Sequence, residues 1–292
     1  MPETFSEANA KTVIGGGIPS PYKLHFLQHQ PFYEEIHRNG YAVRELAGIT
    51  KKDLKEAQTL MTVGKPFKNK RWLIIRHENE RTQRLISESN KSIPIIAKIF
   101  GAVKEQLPPG SVIEEEALLS AKGGTSAQKE THTDKEVLKA YQAILDDNNY
   151  WIAPLSIIAA LEQACTLIIY PGSHRFWVMT DEELAATRPI KAIVVRIEPG
   201  EALYFRTDLW HQGGYYRLSE YPQGNYRLHC FAYSEGPGNE LGLLHSKNRF
   251  NSIEKDDDMA MLARKRNMNA KLVPLSTPLL SQRAHRPPKK PM

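Results

Sequence analysis

The chain has 292 residues, of which 41% are hydrophobic, 9% aromatic and 25% charged, and 39 Lys+Arg against 33 Asp+Glu give a formal net charge of +6. That balance is ordinary for a globular protein and excludes a disordered, collagen-like or membrane-spanning chain. The isoelectric point near 9.1 favours anionic partners, but much of the basic excess lies between Arg283 and Lys290, so charge alone selects none.

Both cysteines, Cys165 and Cys230, fall in apolar runs, and no leader-like segment precedes them. The expected setting is reducing, intracellular and cytoplasmic.

Residues 1–24 carry Gly15-Gly16-Gly17 and prolines without apolar periodicity and read as a flexible arm. Residues 25–250 read as one domain, with a helical N-terminal part (25–110) and a β-rich core (111–235). Residues 251–292 read as an extended basic tail. Within the helical part, Phe32 to Arg38 predicts a short helix broken by Gly40, and Tyr41-Ala42-Val43 begins a strand. Thr50 and Asp53 form a capping-box-like start, followed by Leu54, Ala57, Leu60 and Met61 at helical spacing. Further helices are predicted over Glu78 to Glu88 and Ile93 to Gln106, the second ended by Pro108-Pro109-Gly110.

From Val112 the period changes. Short β-rich runs follow at Ile113–Ala121, Trp151–Glu162, Thr166–Tyr170, Ile190–Ile197, Ala202–Phe205 and Tyr226–Tyr233. Helical patterns intervene only near Asp134–Asp146 and Thr180–Ala186. Strands that succeed one another without crossover helices predict an antiparallel jelly roll, a double-stranded β-helix of cupin-like form with helices packed outside. Pro154 cannot donate to a ladder, so the run from Trp151 pairs fully only beyond it.

Three segments carry the chemistry. In Thr131-His132-Thr133-Asp134, residues two apart on an extended chain point the same way, so His132 and Asp134 can grip one ion. A second segment runs from Pro199 through an apolar strand to Trp210-His211-Gln212-Gly213-Gly214, where glycines relieve backbone crowding beside His211. Taken singly, each is a surface turn or a hydrogen-bonded core histidine. Together, His132, Asp134 and His211 make a 2-His-1-carboxylate facial triad, the donor set of non-haem Fe(II) oxygenases. The third segment is Asn225–Tyr233, in which Arg227, His229 and Tyr233 share one strand face and Leu228, Cys230 and Ala232 the other. An inward arginine needs a carboxylate; the far carboxylate of 2-oxoglutarate would serve, and so would a structural Asp or Glu. Arg217 competes for the same role.

These segments resemble the phytanoyl-CoA dioxygenase family of Fe(II)/2-oxoglutarate-dependent oxygenases. The likeness runs from about Phe32 to Tyr233 through Gly40-Tyr41, Lys122-Gly123 before His132-x-Asp134, Tyr170-Pro171-Gly172-Ser173-His174, the Gly200 strand ending in His211, and the Arg227 strand. The resemblance implies metal ligands at His132, Asp134 and His211, with 2-oxoglutarate held by Arg227. It implies Fe(II), 2-oxoglutarate and O2, release of succinate and CO2, and hydroxylation of an unactivated C–H bond in a small-molecule substrate. Asp134 argues against halogenation, since halogenases of the family lack that carboxylate. Two departures stand out: the interval from His211 to Arg227 is longer than the family pattern, and Gly213 replaces a residue that often carries a hydroxyl.

Residues 135–150 form an amphipathic pattern that reads as a substrate-covering element or a plain surface helix. Trp151, Tyr170, Tyr204, Trp210 and Tyr233 line the cavity or support it by packing, and His174 organises its loop. Two other functions stay open at this point: an oxygenase acting on nucleic acid or protein, suggested by the basic end, and a non-catalytic jelly-roll binding module.

Overall fold

The computed structural model describes residues 28–62, 75–78, 81–85, 94–121, 131–133, 154–177, 179–214, 225–233 and 259–275. The 1–24 arm, residues 135–150 and the basic end from Arg283 lie outside the described residues.

Helix α1 (Gln30–Asn39) starts with a proline in its first turn and ends at Gly40 with φ +81°, so the expected breaker is a left-handed C-cap. Its buried face presents Phe32, Tyr33 and Ile36. Strand β1 (Tyr41–Glu45) follows, then α2 (Lys51–Thr62). Thr50 N–H donates to Asp53 Oδ2 at 2.7 Å, while Asp53 N–H donates to Thr50 Oγ1 at 3.3 Å; this is the reciprocal cap expected of the pair. The Asp53 carboxyl also accepts from Lys98 Nζ at 2.6 Å. Hydrogen bonds from Lys98 and Thr50 hold its pKa down to about 2. Lys98 belongs to α3 (Pro94–Lys104), which buries Ile95, Ile96, Ile99, Phe100, Ala102 and Val103.

The helix predicted over Glu78 to Glu88 is corrected. Ile75–Glu78 (β2) and Arg81–Leu85 (β3) form an antiparallel hairpin, and β3 extends the sheet by pairing with β4 (Val112–Ala121), Gln83 opposite Leu119. An open strand edge satisfies a whole row of backbone groups, which outweighs the weak helical preference of Arg81-Thr82-Gln83-Arg84.

Strands β5 (Leu155–Ala160), β6 (Cys165–Ile169), β7 (Ile190–Lys191), β8 (Ile193–Ile197), β9 (Glu201–Arg206), β10 (His211–Gly213) and β11 (Asn225–Tyr233) complete the core. Pairing in β5 begins just past Pro154, as expected. Among the described residues, a seven-stranded sheet has the order β1-β9-β5-β11-β4-β3-β2 and a three-stranded sheet the order β10-β6-β8, with β7 in a separate two-stranded sheet. His132 adds a further antiparallel bridge at His211, on the β10 edge of the second sheet. The chain therefore runs from β4 in the large sheet to His132 in the small one, back to β5, across to β6 and β8, then β9, β10 and β11 in alternate sheets. That alternation is the winding of a double-stranded β-helix, the predicted jelly roll.

Period-two burial divides the apolar residues into two sets. Ile157, Ala159, Ala202, Tyr204, Leu228, Cys230 and Ala232 belong to a cluster shared with the α1 and α3 residues Phe32, Ile36, Ile96 and Ile99. Their alternates Ile158, Ala160, Leu203 and Phe205 cluster with Cys165, Leu167, Ile169, Val195 and Ile197 of the small sheet, so the second cluster lies between the sheets.

Part of the stretch read as an extended tail is ordered differently. Met259–Ala270 forms a helix, following α4 (Asp181–Ala186) as α5, and Leu272–Val273 (β12) pairs in parallel with β7. Met268 is fully buried. Arg264 bonds Asp181 at 2.8 Å and the Phe176 carbonyl at 3.1 Å, and Lys271 Nζ donates to the Ala185 and Thr187 carbonyls at 2.6 and 3.1 Å. Lys271, beside open carbonyls at the end of α4, satisfies acceptors the helix leaves unpaired. No helix among the described residues is long and apolar enough to cross a membrane.

Candidate metal centre

The turn between β9 and β10 delivers His211, and bonds fix it from several sides. Arg206 and Asp208, 5% and 3% exposed, form a two-pronged pair, Nε to Oδ1 at 2.9 Å and Nη2 to Oδ2 at 2.7 Å. Such a fork holds both side chains in one geometry. Arg206 N–H donates to the Gly40 carbonyl at 2.8 Å and Thr207 N–H to the Pro154 carbonyl at 3.1 Å. Trp177 Nε1–H donates to the Asp208 carbonyl at 2.9 Å, and Trp210 N–H to Ser173 Oγ at 3.0 Å.

Beyond that turn, His211 stands opposite Ile169 of β6. Residues directly opposite share a face, and Ile169 lies in the cluster between the sheets; His211 therefore faces the interior. His132 exchanges both backbone bonds with His211, each N–H donating to the other's carbonyl at 2.9 Å. The ring centroids are 4.5 Å apart with a 51° tilt, and Phe205 meets the His211 ring edge-on at 4.9 Å. His211 is 4% exposed, and its Nδ1 lies 2.9 Å from the Leu209 carbonyl. A carbonyl only accepts, so Nδ1–H is the donor, a bond that fixes the orientation of the ring.

The glycines after His211 differ in role. A Cβ on Gly214 would collide with the Thr166 carbonyl and hydroxyl, which accounts for the glycine there. Gly213 pairs with Leu167.

Arg227 lies on β11 opposite Ala160 of β5 and Leu119 of β4, only 7% exposed. Its neighbours Leu228, Cys230 and Ala232 all belong to the helix-side cluster, so Arg227 takes the other face, between the sheets. Its charge is felt at Cys165, lowering that thiol's pKa, although burial dominates and pushes it up to about 12. The described residues thus bring His132, His211 and Arg227 to one interior. Asp134 and Arg217 lie outside the described residues. Among the described residues, which exclude Asp134, no group of three or more His, Cys, Asp or Glu could hold a metal.

Two residues later on the Arg227 face, His229 Nε2 lies 2.7 Å from Ser156 Oγ on β5. The sequence places His229 on that face but gives no sign of Ser156, because the contact is diagonal across two strands.

His174 organises its loop, as expected. Its Nε2 donates to the His37 carbonyl at 3.0 Å, and its ring packs where a side chain on Gly40 would stand. Burial, then Arg206 and Arg175, lower its pKa. Burial, Arg206, Arg175 and Arg38 bring His37 down to about 4. Tyr170, Tyr204 and Trp210 join the helix-side cluster, so they support the core rather than line the interior. Tyr204 O–H donates to the Val103 carbonyl at 3.1 Å, and Trp210 stacks on Trp177 with centroids 6.1 Å apart.

No family model matches the chain, and no curated protein matches it by sequence. Among solved structures, the chain is similar to the non-haem α-ketoglutarate-dependent epimerase SnoN from nogalamycin biosynthesis: 12% identity over 71% of this chain and 84% of that one, TM-score 0.46. EctD from S. alaskensis with 2-oxoglutarate and 5-hydroxyectoine aligns at 16% identity over 76% and 80% of the two chains, TM-score 0.47. HygX from Streptomyces hygroscopicus, with nickel, 2-oxoglutarate and hygromycin B bound, aligns at 10% identity over 70% and 87%, TM-score 0.47. At such identities neither a reaction nor a substrate carries over.

Proposed function

We propose that the protein is an Fe(II)- and 2-oxoglutarate-dependent dioxygenase that hydroxylates a C–H bond of a small molecule. The observation that carries this reading is the reciprocal backbone pairing of His132 and His211, which sets two imidazoles side by side on the inner face of the small sheet.

The donor chemistry fits ferrous iron. His211 has its Nδ1 proton committed to the Leu209 carbonyl, leaving Nε2 as the ligating atom, and Asp134, two residues beyond His132, is the proposed carboxylate of a facial triad. When bound, the metal with the oxo acid and O2 supplies the oxidising power, with succinate and CO2 as co-products. His132, Asp134 and His211 would hold the metal. Arg227, buried in the opposite sheet, would take the far carboxylate of 2-oxoglutarate in a bidentate fork. Ile158, Ala160 and Leu203 would keep that end of the interior dry, which strengthens the charge pairing.

Anaerobic addition of Fe(II) and 2-oxoglutarate tests the reading, because the chelate absorbs visible light. We expect a band in the wild type, its loss in His211→Ala, and weaker 2-oxoglutarate affinity in Arg227→Ala but not Arg217→Ala. A wild type without the band, or one whose band survives His211→Ala, contradicts it.

A further inference from the structure

On the face of β11 that carries Arg227, the next inward residues are His229 and Phe231. They stand opposite Ile158 and Ser156 of β5, which in turn stand opposite Leu203 and Phe205 of β9. Three rows therefore cross the large sheet. Phe205, Ser156 and Phe231 form the first row, whose Phe205 touches the His211 ring; Leu203, Ile158 and His229 form the next; Ala160 and Arg227 form the deepest. At about 3.3 Å per residue, His229 lies roughly 7 Å deeper than the first row and Arg227 roughly 13 Å deeper, before its side chain takes up part of the span.

Polar side chains in an apolar wall are costly unless bonded, and the buried Ser156 hydroxyl bonds His229 at 2.7 Å. The wall is not sealed there. Ile158, Leu203 and Ser156 are 2%, 0% and 0% exposed, whereas His229 and Phe231 remain partly exposed although they face inward from a central strand. The His229 side chain is thus not fully covered by its neighbours.

Resting on the oxygenase reading above, we propose that His229 is a specificity-determining residue for the oxo acid, and that Ser156 positions it. A dicarboxylic oxo acid spanning from the His132–His211 pair to Arg227 must pass the middle row. There the imidazole, pinned by Ser156, limits the length and bulk of the methylene segment, so that a five-carbon acid fits and a six-carbon one is crowded. One methylene in such a pocket changes affinity by about 10–200-fold.

The test is anaerobic calorimetric titration of the Fe(II)-loaded full chain with 2-oxoglutarate and with 2-oxoadipate. Wild type should prefer 2-oxoglutarate. His229→Ala should move the ratio of the two dissociation constants toward 2-oxoadipate by about tenfold or more, and Ser156→Ala should move it in the same direction by less. Should His229→Ala fail to fold, His229→Asn, which can still bond the Ser156 hydroxyl, should move the ratio in that direction too. An unchanged ratio in a folded His229 variant overturns the proposal while leaving the oxygenase reading intact. A wild type that binds neither acid overturns both.

Discussion

His132 and His211 are bound to each other through the backbone, each N–H donating to the other's carbonyl at 2.9 Å. Their spacing is therefore set by sheet register and does not depend on contact between the rings. Replacing either imidazole by a methyl group leaves that register in place. His132→Ala and His211→Ala should accordingly keep a wild-type far-UV circular dichroism spectrum while binding Fe(II) more weakly than wild type, measured by anaerobic dialysis.

Arg206 and Asp208 together shape the turn that presents His211. Breaking a buried pair by removing one partner costs about 3–5 kcal/mol, whereas replacing both with apolar groups is often neutral. Asp208→Ala should lower the unfolding free energy measured in urea by an amount in that range. The double variant Arg206→Met/Asp208→Leu should recover most of the loss, and equal losses in the two would contradict the assignment.

Gly214 is a second mechanical constraint, because a Cβ there collides with the Thr166 carbonyl on the neighbouring strand. Gly214→Ala should destabilise by about 1–3 kcal/mol, as overpacking does, and weaken metal binding with it. Denaturant unfolding followed by tryptophan fluorescence measures the first effect.

The pH dependence of stability follows from His37 and His174. Both have lowered pKa values in the folded chain, His37 to about 4 from an ordinary 6.5. Between those values the unfolded chain binds more protons, so stability rises with pH across the window. The stability these groups leave intact above about pH 6.5 should be lost progressively as pH falls, the His37 part levelling off below about 4. Urea midpoints between pH 7.5 and 4.5 should trace that slope, and His37→Gln should flatten it.

Much of this was legible in the residues themselves. Alternation in Leu228, Cys230 and Ala232 against Arg227 and His229 named both faces of β11, and Pro154 marked where β5 could begin pairing. Gly40, Thr50 and Asp53 announced helix ends because capping is local chemistry. Arg81–Leu85 is a polar segment whose strand form is dictated by the edge of β4 and not by its own composition. Helix α5 was illegible for a related reason: Arg264 and Lys271 find their carbonyl partners on a distant part of the chain. Around the candidate site, strand alternation put Arg227 and His229 on one face and the family resemblance pointed to His132, Asp134, His211 and Arg227, while Ser156 could be found only from the cross-strand diagonal to His229.

X-ray absorption at the iron edge of the anaerobic Fe(II)-loaded protein tests most directly whether His132 and His211 share one ferrous ion. Wild type should show scattering from two imidazole ligands, and His132→Ala and His211→Ala should each show one. An imidazole count unchanged by either substitution would contradict the account.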